Sequence, residues 1–140
     1  MTRMILEQSE HPLTPADLDE LEKLYNWKFP ESFRQLYLQY NGGYLPEEWA
    51  EQQGIIFGGF NAIRYDKVPA EQIYLDLIES FPQLIDLFPF AYDGFGHSFV
   101  LSLRAEDYGK VSLFAMDGED FYEIADTFDE FLDLLIFDES

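Results

Sequence analysis

Hydrophobic residues recur at helical spacing near the start of the chain and predict a first helix. The segment Thr14–Asp17 is typical of a helix start: threonine can cap, proline suits the first helical position, and aspartate favours the positive end of the helix dipole. Leu18, Leu21 and Leu24 then follow at helical spacing. We expect residues 1–13, which precede this helix, to form a loose lead-in.

A second helix is predicted after Phe29-Pro30, because the residue before a proline is pushed towards extended geometry. Its apolar stripe lies at i, i+3, i+4 and i+7 and comprises Phe33, Leu36, Tyr37 and Tyr40. The helix is expected to end at Asn41-Gly42-Gly43, since asparagine and glycine tolerate the left-handed backbone of a helix C-terminus.

The middle of the chain carries weaker signals. Ile55–Phe57 is a short apolar run that predicts a strand, followed by Gly58-Gly59. A third helix is predicted over about Ala70–Glu79, and Phe81-Pro82 marks its end.

From about Leu87 the hydrophobic period changes to two, which predicts strands. Turns at Gly94–Gly96, Tyr108–Lys110 and Asp117-Gly118 separate these strands, and the last of them ends near Ala125. Because no helix intervenes, we expect the strands to pair antiparallel.

The final helix opens at Thr127 with a capping-box spacing to Glu130. Its predicted buried stripe comprises Phe128, Phe131, Leu132 and Leu135. The whole pattern predicts a single α+β domain over residues 1–140, with helices packed on a twisted antiparallel sheet.

Charge narrows the classes of partner. Eight basic residues against 28 acidic ones give a formal net charge of −20. A field of this sign repels nucleic acid and anionic membranes, and it favours encounter with a basic protein. Much of this charge serves solubility, which leaves a minority of the carboxylates for specific recognition. We expect no direct contact with nucleic acid or membrane.

The chain has no cysteine, which excludes disulfides and thiol chemistry and suits a reducing cytoplasm. No segment approaches the roughly 20 apolar residues that span a bilayer. These features predict a cytoplasmic protein.

Motifs for cofactors and metals are weak. Gly94–Gly96 leads into a period-two strand, which favours a hairpin over a phosphate-binding loop. His11 and His97 are far apart and lack the spacing of zinc ligands. Three carboxylates crowd Asp117–Asp120, where a calcium ion is an alternative to a solvated turn, although the spacing does not match an EF-hand loop. We predict no cofactor and no resident metal.

Catalytic signals are also weak. His97 and Ser98 are adjacent, but neighbouring strand residues point to opposite faces and would not cooperate as base and nucleophile. Among 28 acidic residues nothing singles out a catalytic carboxylate pair. We therefore predict that the protein is not an enzyme.

Mixtures of aromatic and acidic residues in predicted turns are typical of protein interfaces, where aromatic anchors sit inside a polar rim. Ordinary core or hairpin packing is the alternative for their aromatic members. The predicted partner-binding residues are Glu47, Glu48, Trp49, Tyr92, Asp93, Phe95, Asp117, Glu119, Asp120 and Tyr122.

Three blocks, Phe29–Gly43, Leu87–Leu103 and Ile124–Leu135, resemble the SUKH superfamily in their order and spacing. This superfamily comprises bacterial immunity proteins against polymorphic toxins and eukaryotic regulators of cell-wall synthesis. The positions that recur in it correspond here to Leu21 and Glu22, Phe29-Pro30, Asn41–Gly43, Pro89–Ala91, Gly94, Gly96 and Phe128–Leu132. We interpret most of them as fold-making.

The chain departs from the superfamily pattern at two places, and the second departure weakens the transfer of surface residues in its own region. Phe29 stands where a leucine is common, and Phe114–Asp117 keeps only the first aromatic and the aspartate of an aromatic-Trp-Asp-His pattern.

The resemblance implies an α+β fold with a partner-binding cleft and no catalytic residue. Together with the charge, it predicts a non-catalytic immunity protein that occludes a cognate toxin domain of basic, nuclease type with an acidic face. The alternatives are a regulatory scaffold that binds a cellular protein and, less favoured, a carboxylate-based enzyme. We expect a monomer or a weak dimer.

Overall fold

Five strands follow one another in chain order across a single antiparallel sheet, in a computed structural model that describes residues 4–50 and 57–136. The strands in this part of the chain are β1 Phe57–Phe60, β2 Leu87–Asp93, β3 Ser98–Ser102, β4 Val111–Ala115 and β5 Asp120–Ala125. The helices are α1 Pro15–Tyr25, α2 Glu31–Gln39, α3 Glu47–Ala50, α4 Ala70–Ser80 and α5 Phe128–Leu135, with 3₁₀ turns at Pro82–Leu84 and Ala105–Asp107. The predicted α+β class and antiparallel sheet are confirmed.

Local capping explains where α1 begins and ends. The Thr14 hydroxyl accepts a hydrogen bond from the Asp17 N–H at 3.3 Å, and the Asp17 carboxylate accepts one from the Thr14 N–H at 2.9 Å. At the other end Asn26 adopts the left-handed conformation, with φ 58°. The reciprocal cap between Thr14 and Asp17 satisfies N–H groups that the first helical turn leaves without partners.

The cap of α5 differs in one detail from the predicted box. The Thr127 hydroxyl accepts from the Glu130 N–H at 3.1 Å, as expected. The Glu130 carboxylate, however, accepts from the N–H of Asp126 and not from that of Thr127. The helix start is therefore held over one more residue than the motif requires.

Aromatic side chains join the helices to one face of the sheet. Phe33 of α2 lies 5.2 Å from Phe128 of α5 between ring centroids, and both contact Phe90 of β2. Phe131 lies 5.2 Å from Phe99 of β3. Edge-to-face pairs of this kind add to the large apolar area that each ring buries. The predicted stripes of α2 and α5 are thus the core-facing sides of these helices.

The opposite face of the sheet is covered over its centre. Leu87, Val100 and Phe114 form a second buried cluster with Leu84, against which the partly buried residues Leu77, Ile78 and Phe81 pack. All five residues of β3 are therefore buried, including Val100, which the predicted period of two places on the opposite face from Phe99 and Leu101. A strand covered on both faces does not show the hydrophobic-in, polar-out contrast of a half-exposed strand.

The lead-in is packed rather than loose over its described part, residues 4–13. Met4, Leu6 and Leu13 are buried in the main core. Glu7 and Tyr44 exchange backbone hydrogen bonds of 2.8 and 2.9 Å. The buried side chains and the bridge fix this segment to the residues that follow α2.

The strand predicted at Ile55–Phe57 is observed as Phe57–Phe60, and residues 55 and 56 lie outside the described residues. The two glycines that were expected to follow the strand lie inside it. A side chain at Gly58 or Gly59 would collide with the ring or hydroxyl of Tyr92, at 2.5 and 2.7 Å from an added Cβ. Glycine is therefore required where this tyrosine crosses the strand.

Candidate protein-binding surface

The residues predicted around α3 are only partly available to a partner. Glu47 and Glu48 are exposed in the four-residue helix, whereas Trp49 is half-buried and packs against the main core. The two glutamates, and not the tryptophan ring as a whole, face solvent here.

The β2–β3 turn places its predicted contact residues in different environments. Phe95 is 71% exposed at the tip of the turn. Asp93 is buried, and one of its carboxylate oxygens accepts hydrogen bonds from the N–H groups of Phe95 at 2.9 Å and His97 at 2.8 Å. This arrangement is an Asx turn, in which an aspartate side chain accepts a hydrogen bond from the N–H two residues later. Asp93 therefore shapes the turn that presents Phe95.

Tyr92 is held against the sheet and not presented to solvent. Its half-buried ring crosses Gly58 and Gly59 of β1. Burial, followed by the interaction with the Tyr44 hydroxyl, raises the pKa of Tyr92 to about 12. The contacts show that Tyr92 fixes β1 to β2.

The β4–β5 turn and the start of β5 expose all four of their predicted residues: Asp117, Glu119, Asp120 and Tyr122. Asp117 accepts a hydrogen bond from the Gly118 N–H at 2.9 Å, which orders the turn locally. Gln83 donates to Glu119 at 2.9 Å, which ties the turn to the segment after α4. Tyr122 is 53% exposed.

Sheet topology brings two of these groups to one end of the molecule. Ser98 pairs with Tyr92 on one side and with Phe114 on the other, and Ala115 pairs with Asp120. The β2–β3 and β4–β5 turns therefore both extend past the same end of the sheet. Phe95 and the acidic turn residues share this end.

A larger acidic surface surrounds the β4–β5 turn. Residues 111–136 contain eight carboxylates and no lysine, arginine or histidine, and all eight side chains are exposed. We call these carboxylates the acidic strip: Asp117, Glu119, Asp120, Glu123, Asp126, Asp129, Glu130 and Asp133. Sequence reasoning identified only the first three. A count of charge by segment is the signal that finds the other five.

Elsewhere several basic side chains are neutralised locally. Arg34 lies 2.8 Å from Glu22 and 3.0 Å from Asp19. The other ion pairs among the described residues are Arg64 with Asp17 and Glu20, Arg104 with Asp107, and Lys110 with Glu123. In the Arg104 pair, the hydrogen bond from the guanidinium holds the pKa of Asp107 below its ordinary value.

The Lys110 pair is the one that reaches the acidic strip, at 3.1 Å from Glu123. Exposed pairs of this kind contribute little to stability. Because these basic side chains are already neutralised by carboxylates, the net charge that remains on the surface is negative.

A groove of about 600 Å³ between α2 and α5 extends this negative surface. Its acidic lining residues are Glu31, Asp129 and Asp133, and its lining includes no basic side chain. Two of these carboxylates belong to the acidic strip. The strip therefore runs from the β4–β5 turn along β5 and onto the outer side of α5.

Neither a cluster of metal ligands nor a membrane-spanning helix is found in the described part of the chain. No group of three or more histidine, aspartate or glutamate side chains there is arranged to hold a metal ion. None of the helices in residues 4–50 and 57–136 has the length and apolar character needed to cross a membrane.

Comparison with known proteins agrees with the fold. A search of the curated proteins found no match to the chain. The model of the SMI1/KNR4 family (SUKH-1) matches residues 12–134, which contain all five strands, helices α1 to α4 and all of α5 except its last residue. The chain belongs to the SMI1/KNR4 family (SUKH-1).

Proposed function

We propose that this protein is a non-catalytic immunity protein that binds and neutralises a cognate polymorphic toxin domain in the cytoplasm. The toxin domain is basic and of nuclease type, and the immunity protein covers its active or substrate-binding surface. Family membership supports an immunity or regulatory role, and the charge of the surface favours the first.

The observation that carries the proposal is the acidic strip, with eight exposed carboxylates in residues 111–136 and no basic residue among them. A nuclease holds the phosphates of its substrate with basic side chains. A surface of carboxylates presents the same sign of charge and competes for those side chains. The same negative field repels the nucleic acid, which then competes less well for the toxin surface that the immunity protein covers.

Exposed aromatic residues supply the apolar contacts that charge alone lacks. Phe121 is 43% exposed and Tyr122 53% exposed on β5, and Phe95 lies at the same end of the sheet. Interfaces typically combine a few aromatic anchors with a polar surround. Glu47 and Glu48 on α3 are exposed and add negative charge to the surface.

The proposal predicts fast association that slows as salt is added. Complementary charge mainly accelerates encounter, and salt at physiological ionic strength screens charges beyond about 8 Å. An association rate that does not change between low and high salt would show that charge does not steer the encounter.

The test is a pull-down from the native organism with tagged protein at low and high salt, with retained proteins identified by mass spectrometry. We expect one secreted protein with a basic C-terminal domain, lost at high salt. Expression of that domain alone should arrest growth, and co-expression of this protein should restore it. Retention of biosynthetic or signalling proteins without a toxin domain would instead support a regulatory scaffold.

A further inference from the structure

The outer edge of β5 is free of backbone pairing within the described residues. β5 is the last strand in the sheet order and pairs only with β4, through Ser112–Glu123, Leu113–Tyr122 and Phe114–Phe121. An edge strand directs alternate N–H and C=O groups away from the sheet. β5 therefore offers backbone donors and acceptors in regular register over Asp120–Glu123, up to a register shift before Ala125.

The opposite edge of the sheet is partly covered. Gly43 and Phe60 of β1 exchange backbone hydrogen bonds of 3.2 and 2.9 Å. This bridge uses groups on the outer side of β1. The two edges thus differ, and β5 is the one on which another strand finds free partners.

Side chains on β5 suit a strand that lies beside them. Phe121 and Tyr122 are adjacent, so that they point to opposite faces of the sheet, and both are exposed. The Phe121 ring lies 4.9 Å from that of Phe114, which holds it in place. An incoming strand would find an aromatic side chain on each face as a cross-strand neighbour.

Charge selects which strand can pair. Asp120 and Glu123 flank the two aromatic residues, and the whole acidic strip adds to their field. Two copies of β5 side by side would place carboxylates against carboxylates, which disfavours pairing of the protein with itself. A strand rich in lysine and arginine would instead place positive side chains against these carboxylates, which favours pairing.

We propose that the β5 edge receives an extended basic segment of the partner protein as a sixth strand of the sheet. This inference rests on the proposed function for the identity of the partner, but not for the mode of docking. Main-chain hydrogen bonds supply the pairing, Phe121 and Tyr122 flank the added strand, and the carboxylates bind its lysine and arginine side chains.

The first experiment uses a peptide of about nine residues with alternating lysine and valine, which favours an extended strand. A peptide of equal charge with proline in place of valine serves as the control, because proline donates no backbone hydrogen bond. We expect the first peptide to slow amide exchange in residues 120–125 of the isotope-labelled protein at low salt, and the control to leave it unchanged. Absence of binding, or equal effects of both peptides, would overturn the inference.

A pair of charge-matched variants tests the location. Asp120→Lys with Tyr122→Lys reverses the edge, and Asp76→Lys with Leu75→Lys makes the same change in net charge on the exposed side of α4, outside the acidic strip. We expect the edge variant to weaken binding of the lysine–valine peptide by about tenfold or more, and the α4 variant to weaken it much less. Circular dichroism and thermal unfolding of each variant establish that the fold is intact.

The same variants separate this inference from the proposed function. If the captured toxin domain is neutralised equally well by the edge variant, the immunity role stands and the strand-docking mode is wrong. If the lysine–valine peptide docks on β5 but no toxin domain is captured, the edge is a docking site and the immunity role is wrong.

Discussion

The side chain of Asn41 accepts one hydrogen bond from the backbone of Ile63 and donates another to it. The Ile63 N–H donates to Asn41 Oδ1 at 2.7 Å, and Asn41 Nδ2 donates to the Ile63 carbonyl at 2.9 Å. The same Nδ2 donates to the His11 carbonyl at 2.9 Å. One buried side chain thereby joins the lead-in, the end of α2 and the segment before α4.

Replacing Asn41 with alanine should destabilise the protein by about 2–4 kcal/mol, because buried backbone groups of Ile63 lose their partners. The free energy of unfolding from urea titration measures this loss. Gln72→Ala is the control, since Gln72 is exposed on α4 and its removal should cost less than about 0.5 kcal/mol. Similar losses for the two variants would contradict the structural role of Asn41.

Two glycines with positive φ allow the destabilisation caused by backbone conformation to be distinguished from that caused by steric crowding. Gly42 has φ +75°, and an added Cβ would lie 2.8 Å from the backbone nitrogen of Ala62. Gly96 has φ +87° with open space around its Cβ position. Both alanine variants pay the left-handed strain of about 1 kcal/mol, and Gly42→Ala should cost at least about 2 kcal/mol more. Equal urea midpoints for Gly42→Ala and Gly96→Ala would show that the backbone near Ala62 yields.

Phe131 on α5 should be among the costliest side chains to truncate. It is fully buried and its ring lies 5.3 Å from that of Phe90 and 5.2 Å from that of Phe99. Phe131→Ala should lower the free energy of unfolding by about 3–5 kcal/mol. Leu134→Ala, at a half-exposed position on the same helix, should change it by less than about 1 kcal/mol. A reversed order in chemical denaturation would mean that the core does not centre on α5.

Tyr92 predicts how stability changes in alkali. Its pKa rises from an ordinary value of 10 to about 12 in the folded protein, so the unfolded chain loses this proton first. The folded state then binds more protons, and its stability falls as pH rises. The contribution of the Tyr92 hydroxyl is complete below pH 10 and is lost as pH rises through about 12.

The measurement compares the parent protein with Tyr92→Phe by urea unfolding at several pH values. Their difference in unfolding free energy should be constant from about pH 7 to 9, since Tyr92 ionises there in neither the folded nor the unfolded protein. Above pH 10 the parent should lose stability faster than the phenylalanine variant. A difference that stays constant up to pH 11 would show that burial and Tyr44 do not hold the proton on Tyr92.

Local patterns predicted the elements well where one short stretch carries the whole signal. The stripe that includes Phe33 and Tyr37 defines α2, and Thr127 marks the start of α5, because caps and helical periods are properties of adjacent residues. Packing of the lead-in was not predicted. Met4 and Leu6 have the spacing of a strand, but the run is too short to stand out in the sequence, and their packing accompanies a bridge to Tyr44 that only the folded chain forms.

The candidate surface was predictable in composition but not in arrangement. Phe95 and the acidic turn residues are exposed, as turn residues commonly are, while Asp93 is turned inward by two backbone N–H groups. Strand register places both turns at one end of the sheet, and register is not visible from a single stretch of sequence. The α5 part of the acidic strip, such as Asp133, was not predicted, because helix carboxylates carry no turn signal and join the β4–β5 turn only through the fold.

The contact between Phe33 and Phe128 has a consequence for how the chain folds as it is made. Phe33 leaves the ribosome early, yet its ring partners on β2 and α5 are synthesised much later. Until α5 emerges, the apolar side of α2 has no complete binding surface, and a shortened chain leaves these rings in water. We expect translation to yield a protease-sensitive chain until α5 has left the ribosome, and protection to appear in one step with it.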